Sequence, residues 1–214
     1  FIIDHHEISQ SIPNNVKIIN PHLHEKQEIS SSGLCYLFAK SISEENKDLA
    51  NLGVIGIIGD MLEKSSSKLI NQVLNDAELI IKRGLLLYPS TRPLDRVLEF
   101  SSEPYIPDVT GNPQGVLQIL KEAKIEKINN RYKNLVELSE EEMTRLVTSI
   151  LLRRVQKNHH QDLIGNIFLV KHFNKLEDSR EISAKINATS RLGEPYIAML
   201  YALENEKSSK RVET

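Results

Sequence analysis

Phe1-Ile2-Ile3-Asp4-His5-His6 is the stretch whose reading decides the fold. Three apolar residues running straight into an acid and two imidazoles read as a buried strand whose C-terminal end carries polar ligands into a crevice, the way an α/β fold presents a metal site. A second apolar segment, Asn51 to Asp60 (NLGVIGIIGD), also stops on a carboxylate. It reads as a helix apolar on nearly every side, hence buried. Its glycines at 53, 56 and 59 suit close packing against a sheet. A carboxylate closing so apolar an element is costly to bury unless it is paired or holds a metal. Asp4, His5, His6 and Asp60 are therefore the candidate catalytic residues.

Two further stretches give the pattern a family character. The two segments above resemble the third and fourth motifs of the DHH phosphoesterase superfamily, whose members hydrolyse phosphoesters with a pair of divalent metals. The run TRPLDRVLEFSSEPYIPDVTGNPQG, residues 91–115, resembles the archaeal branch of the RecJ-like nucleases. INATSRLG, residues 186–193, resembles a RecJ-type Ile-Asn-Ala-x-x-Arg-Leu segment. The resemblance implies an α/β fold, namely the C-terminal part of a DHH-type parallel-sheet domain with a largely helical insertion. Residues 1–88 would belong to the catalytic core, 89–182 to the insertion, and 183–214 to the return segment and the start of a connector helix.

The same resemblance implies roles. His5 and Asp60 would be ligands to one of two divalent ions, and Asp4 a further ligand or the acceptor that fixes a histidine tautomer. His6 would face the phosphate as a donor. Mixed oxygen and nitrogen ligation suits manganese, and spacing alone leaves magnesium, zinc and cobalt open. Asn187 and Arg191, four residues apart, would share a helix face, with Arg191 meeting a substrate phosphate through its planar fork of donors. The implied partners are single-stranded nucleic acid, in replication or repair, and the GINS replication complex. Two other readings share the fold: a replication scaffold that binds GINS without catalysis, and a phosphoesterase for short oligonucleotides or cyclic dinucleotides. Intact Asp4, His5, His6 and Asp60 favour the enzyme, since a scaffold has no physical need of them. The family's upstream aspartates and its C-terminal DHH-associated domain are not found in the sequence. With Phe1 set inside a strand, the chain is expected to be a fragment that is inactive by itself.

Composition sets limits on these readings. At 214 residues, 40% hydrophobic and 26% charged, the chain can bury a sizeable core. A net charge of -2 is not the footprint of a protein that grips nucleic acid over its whole surface, so any such contact must be a local groove. No apolar run reaches the ~18 residues that would span a bilayer, and a single cysteine, Cys35, argues for a reducing compartment. A cytoplasmic protein is expected, with Cys35 filling core space.

In chain order, Val16 to Asn20 reads as a short strand stopped by Pro21. Ser30-Ser31-Ser32-Gly33 reads as the start of a helix whose Leu34, Leu37, Phe38 and Ile42 share a side. Its free N–H groups could also face a phosphate. Lys68 to Tyr88 reads as mainly helical. The prolines and glycines of 89–115 read as turns, and 116–158 as helix, with a capping box at Ser139. Lys121, Lys124, Lys127, Arg131 and Lys133 read as a solvated basic face. His22 and His24, and His159 with His160, read as exposed loop histidines. Ile164 to Phe173 reads as a strand, and the rest returns to helix.

Overall fold

The computed structural model describes residues 1–9, 11–23, 27–155 and 163–212. His24, His159 and His160 lie outside the described residues. In chain order the elements are β1 (Ile2–Ile3), β2 (Ile18–Ile19), α1 (Ser31–Ile42), α2 (Ala50–Gly59), α3 (Lys68–Asp76), β3 (Leu79–Leu85), α4 (Leu94–Phe100) and α5 (Pro113–Glu122). They continue with β4 (Lys127–Ile128), β5 (Arg131–Tyr132), α6 (Glu140–Val155), β6 (Ile164–His172), β7 (Lys175–Asp178), α7 (Ser179–Arg191), α8 (Pro195–Ala202) and α9 (Glu206–Val212). The fold is α/β. The described strands form a parallel β1-β2 pair, a three-stranded sheet ordered β3-β6-β7, and an antiparallel β4-β5 hairpin.

The chain divides into two compact units, one of residues 1–79 with 170–214 and one of residues 80–169. The boundaries fall inside β3 and β6, where turn chemistry gives no signal. The sequence had suggested 88/89 and 182/183 because prolines and a motif are visible there.

In the first unit, β1 and β2 run parallel with Ile2 opposite Ile18 and Ile3 opposite Ile19. Phe1 and Ile2 are 72% and 47% exposed, so the expected buried strand is an open one. Among the described residues β1 has β2 as its single strand neighbour, and the Phe1 ring rests on Phe38 at 5.5 Å. Helix α1 begins where the serines predict: Ser30 is the N-cap, its hydroxyl accepting from the Gly33 amide at 3.1 Å. Leu34 and Tyr36 are buried, whereas Phe38 and Ile42 on the expected apolar side are exposed. Cys35 is exposed rather than in the core.

Helix α2 is the centre of this unit, with Val54, Ile55, Ile57 and Ile58 all buried. Its glycines meet helices and not a sheet. A Cβ on Gly53 would touch Val73 of α3 and Tyr36 of α1, one on Gly56 would collide with Ser32 of α1, and one on Gly59 with Ser183 of α7. Helices α1 and α7 thus approach α2 at backbone distance, and no larger residue would let them.

The end of β6 carries a buried histidine. His172 is 2% exposed, its Nε2–H donates to the Tyr201 carbonyl at 3.0 Å, and its ring packs edge-on against Phe173 and Tyr201. Burial pushes its pKa below the ordinary value, so the folded chain resists a proton that the unfolded chain takes up near pH 6.5. Because the unfolded state then binds more protons, stability must fall as pH drops below about 6.5. The unfolding midpoint is expected to be lower at pH 5 than at pH 7.5. In His172→Gln that difference should shrink, and an unchanged pH dependence in the variant would show that other groups set it.

The second unit has its own core, in which Leu85, Leu94, Leu98, Ile106, Ile119, Leu120, Leu146 and Ile150 are fully buried. Two expectations fail here. Residues 79–85 form a strand where helix was expected, because Ile80 and Ile81 are β-branched and Gly84 lies under Met143 and Ile167. Residues 127–132 form a hairpin inside the expected helical run. Asn129 and Asn130 both take positive φ, 50° and 64°, as a two-residue hairpin turn requires. The basic run is largely committed to neighbours: Arg131 forks onto Glu137, Lys133 binds Glu142, and Lys127 lies over the Tyr132 ring. The capping box at α6 is present, with Ser139 and Glu142 bonded reciprocally.

Candidate functional site

Parallel pairing puts the ends of β1 and β2 side by side, so the residues that follow them enter one crevice. Asp4 N–H donates to the Ile19 carbonyl at 3.1 Å, continuing the ladder for one step. Asn20, at the end of β2 and 1% exposed, donates from Nδ2 to the His6 carbonyl at 2.9 Å and accepts from the His22 amide. The Asp-His-His turn is therefore held from below by a buried amide side chain.

His5 is oriented by its Nδ1–H, which donates to the Ile29 carbonyl at 3.0 Å. A carbonyl can only accept, so Nδ1 carries the proton and the lone pair of a neutral ring lies on Nε2. That Nε2 stands 3.8 Å from Oδ2 of Asp60. Asp60 caps the C-terminal end of α2, its amide donating to the Gly56 carbonyl. The chain beyond turns through Met61, at φ 57°, and is tied down where Arg180 of α7 bonds Glu63 at 3.1 Å. The expected convergence of His5 and Asp60 is thus present.

Asp4 serves the other histidine. Its Oδ1 accepts from His6 Nδ1–H at 2.8 Å and from the Ser31 hydroxyl at 3.2 Å. The hydrogen bond from His6 leads in holding the Asp4 carboxyl down to about 2. Asp4 therefore stays ionised through any working pH and fixes the His6 tautomer with Nε2 turned outward. His6 is 77% exposed and packs edge-on against His5 at 4.5 Å. Of the two roles expected for Asp4, this geometry is that of the orienting acceptor.

The fit to a cation can be tested on distances. Metal bonds of ~2.1 Å to nitrogen and oxygen put two ligands of one ion ~3 to 4.2 Å apart, and 3.8 Å lies within that range. A lone pair on Nε2 and a carboxylate oxygen are also the correct donor types. Among the described residues no group of three or more His, Cys, Asp or Glu side chains is placed to hold a metal ion.

Asn187 and Arg191 both lie on α7 and both are exposed. Ser183, the α7 residue against Gly59, stands one turn before Asn187 and two before Arg191, ~6 and ~12 Å along the axis. They continue the stripe that meets the C-terminal end of α2. No hydrogen bond or ion pair joins them to His5 or Asp60. Among the described residues Arg191 has no ion pair, since the acid nearest in sequence, Glu194, binds Arg211. His22 is exposed in the turn after β2. Asn20 and the Ile29 carbonyl were missed from the sequence, and Ser31 was read only as part of a helix start. The one available signal was Asn before Pro21 at a strand end.

Comparison with known proteins bears on both units. Residues 87–168 match a family model described as the DHH-CID domain, a span that contains the whole of 91–115. The chain is also 26% identical over 219 aligned residues to an uncharacterized protein of Methanocaldococcus jannaschii, with 98% of this chain and 48% of that protein covered. The chain thus spans about half the length of the curated relative it matches. These matches support a place in the DHH superfamily. No helix among the described residues is long and apolar enough to cross a membrane.

Proposed function

We propose that the complete protein hydrolyses phosphodiester bonds at a divalent metal site to which this chain contributes His5 and Asp60, and that its substrate is single-stranded nucleic acid, as in a RecJ-like exonuclease. The observation that carries the reading is the His5–Asp60 pair, two donors of the right type 3.8 Å apart with the histidine tautomer already set. The superfamily match supports the reaction class, since DHH proteins are typically phosphoesterases. Manganese suits mixed nitrogen and oxygen ligation, with magnesium, zinc and cobalt as the alternatives. What bound ions supply there is Lewis-acid charge and a more acidic water.

The remaining work falls to the chain. The Ile29 carbonyl orients His5, while Asp4, itself held by the Ser31 hydroxyl, orients His6 so that Nε2, when it carries a proton, can donate to a phosphate oxygen. Arg191, exposed and without an ion pair among the described residues, is proposed to meet the strand, with Asn187 one turn before it. In the complete protein Arg191→Ala should weaken oligonucleotide cleavage by ~10- to 100-fold, the usual cost of a lost charge-assisted contact. Hydrolysis of a small activated phosphodiester should survive, because only positioning is lost. Equal losses on both substrates would instead make Arg191 a support of the fold. A replication scaffold bound to GINS would hydrolyse neither substrate. An enzyme for short oligonucleotides or cyclic dinucleotides would show no preference for longer strands.

A further inference from the structure

The 91–115 stretch reads in sequence as turns, yet the structure gives its first half an open cavity. Residues 88–103 enclose about 530 Å³ lined by Tyr88, Arg92, Arg96 and Phe100, with prolines between them and Glu103 at the edge. Phe100, at the end of α4, is 71% exposed and Tyr88 is 45% exposed. The chain has only five phenylalanines and six tyrosines, and here one of each leaves its ring outside the core in a single cavity. The Arg96 side chain is 68% exposed, and its contact with Glu99 one turn along is a long 3.5 Å pair. Water and salt screen such a pair, so the guanidinium is available to another anion.

We propose that this cavity is a stacking site for one or two bases of a single strand, separate from the His5–Asp60 pair. Two exposed aromatic side chains can stack on flat bases of any identity, and a guanidinium beside them matches the linking phosphate. With Glu103 at the edge the charge excess is small, so stacking rather than charge must carry the affinity. That agrees with a chain of net charge -2, and it sets an expectation: the dependence on salt should be shallow, that of ~1 or 2 phosphate contacts.

The inference rests on the single-strand reading above but not on metal binding, so it is tested in EDTA. Binding of a fluorescein-labelled oligothymidylate to the complete protein is followed by anisotropy in wild type, Tyr88→Ala, Phe100→Ala and Arg96→Gln. Phe38→Ala, an exposed aromatic of the other unit, is the control. Each aromatic variant is expected to bind ~10-fold or more weakly with an unchanged circular dichroism spectrum, while the control binds as wild type. An oligonucleotide carrying 5-iodouracil should crosslink on irradiation to the peptides that hold Tyr88 and Phe100. Undiminished binding in both aromatic variants, crosslinks confined to other peptides, or no binding at all would each overturn the proposal. Manganese-dependent cleavage, measured separately, decides the hydrolase reading in every one of those cases.

Discussion

His5→Ala and Asp60→Ala are each expected to reduce manganese-dependent hydrolysis by the complete protein by ~1,000-fold or more. The size follows from geometry. His5 Nε2 and Asp60 Oδ2 face each other at 3.8 Å, and loss of either leaves this chain supplying one donor where the ion needs both. The fold should survive both changes. The side chains are 20% and 44% exposed, so truncation opens no closed cavity, and Asp60 caps α2 through its backbone amide, which alanine keeps. The variants should therefore keep the wild-type circular dichroism spectrum and lose manganese binding, read from the free-ion paramagnetic resonance signal. Asp4→Asn is expected to cost less, because it leaves His5 and Asp60 in place and disturbs only the orientation of His6. Turnover near wild type in His5→Ala or Asp60→Ala would end the assignment.

How much of this was legible in the sequence differs by element. The two apolar runs ending on Asp4 and Asp60 announce their polar ends, because an acid after Ile3 or Gly59 has no packing reason to be there. Their convergence follows. Ser30 and Ser139 announce helix starts through short-range bonds that need no tertiary knowledge. Residues 79–85 deceived because LIIKRGL lacks strict alternation, and its strand state is decided by its place beside β6. The Asn129-Asn130 turn was visible in principle, since two asparagines tolerate positive φ, but helix-forming neighbours on both sides outweighed it. Asn20 left only the signal of an Asn before Pro21 at a strand end, and the Ile29 carbonyl left none. One acts across 14 residues and the other across 24, and a backbone carbonyl leaves no mark on residue type. Exposure was misjudged for the same reason at Phe1, Cys35 and Ile42, since periodicity reports a face and not what covers it.

Gly56→Ala is expected to lower stability, and it connects packing to the site. On helix propensity alone the change should help, by ~1 kcal/mol. Against that, a Cβ at position 56 would lie 1.8 Å from Ser32 Oγ and 2.7 Å from Ser32 Cβ. Rotating the hydroxyl away relieves the first contact but breaks the 3.0 Å bond to Ser30 Oγ and the longer one to the Gly53 carbonyl. Rotation cannot relieve the second contact, because Ser32 Cβ is fixed to the α1 backbone. Helix α1 must then retreat from α2 until that contact opens, which costs ~2 to 3 kcal/mol net of the propensity gain. The retreat also moves Ser31, whose hydroxyl bonds Asp4, so His6 loses its fixed orientation and hydrolysis should fall alongside stability. Adding Ser32→Gly removes both clashing atoms and should return the unfolding free energy to within ~1 kcal/mol of the Ser32→Gly single variant. Denaturant titration of the two single variants and the double variant measures this coupling. Additive losses would show that Gly56 is not held by its contact with α1.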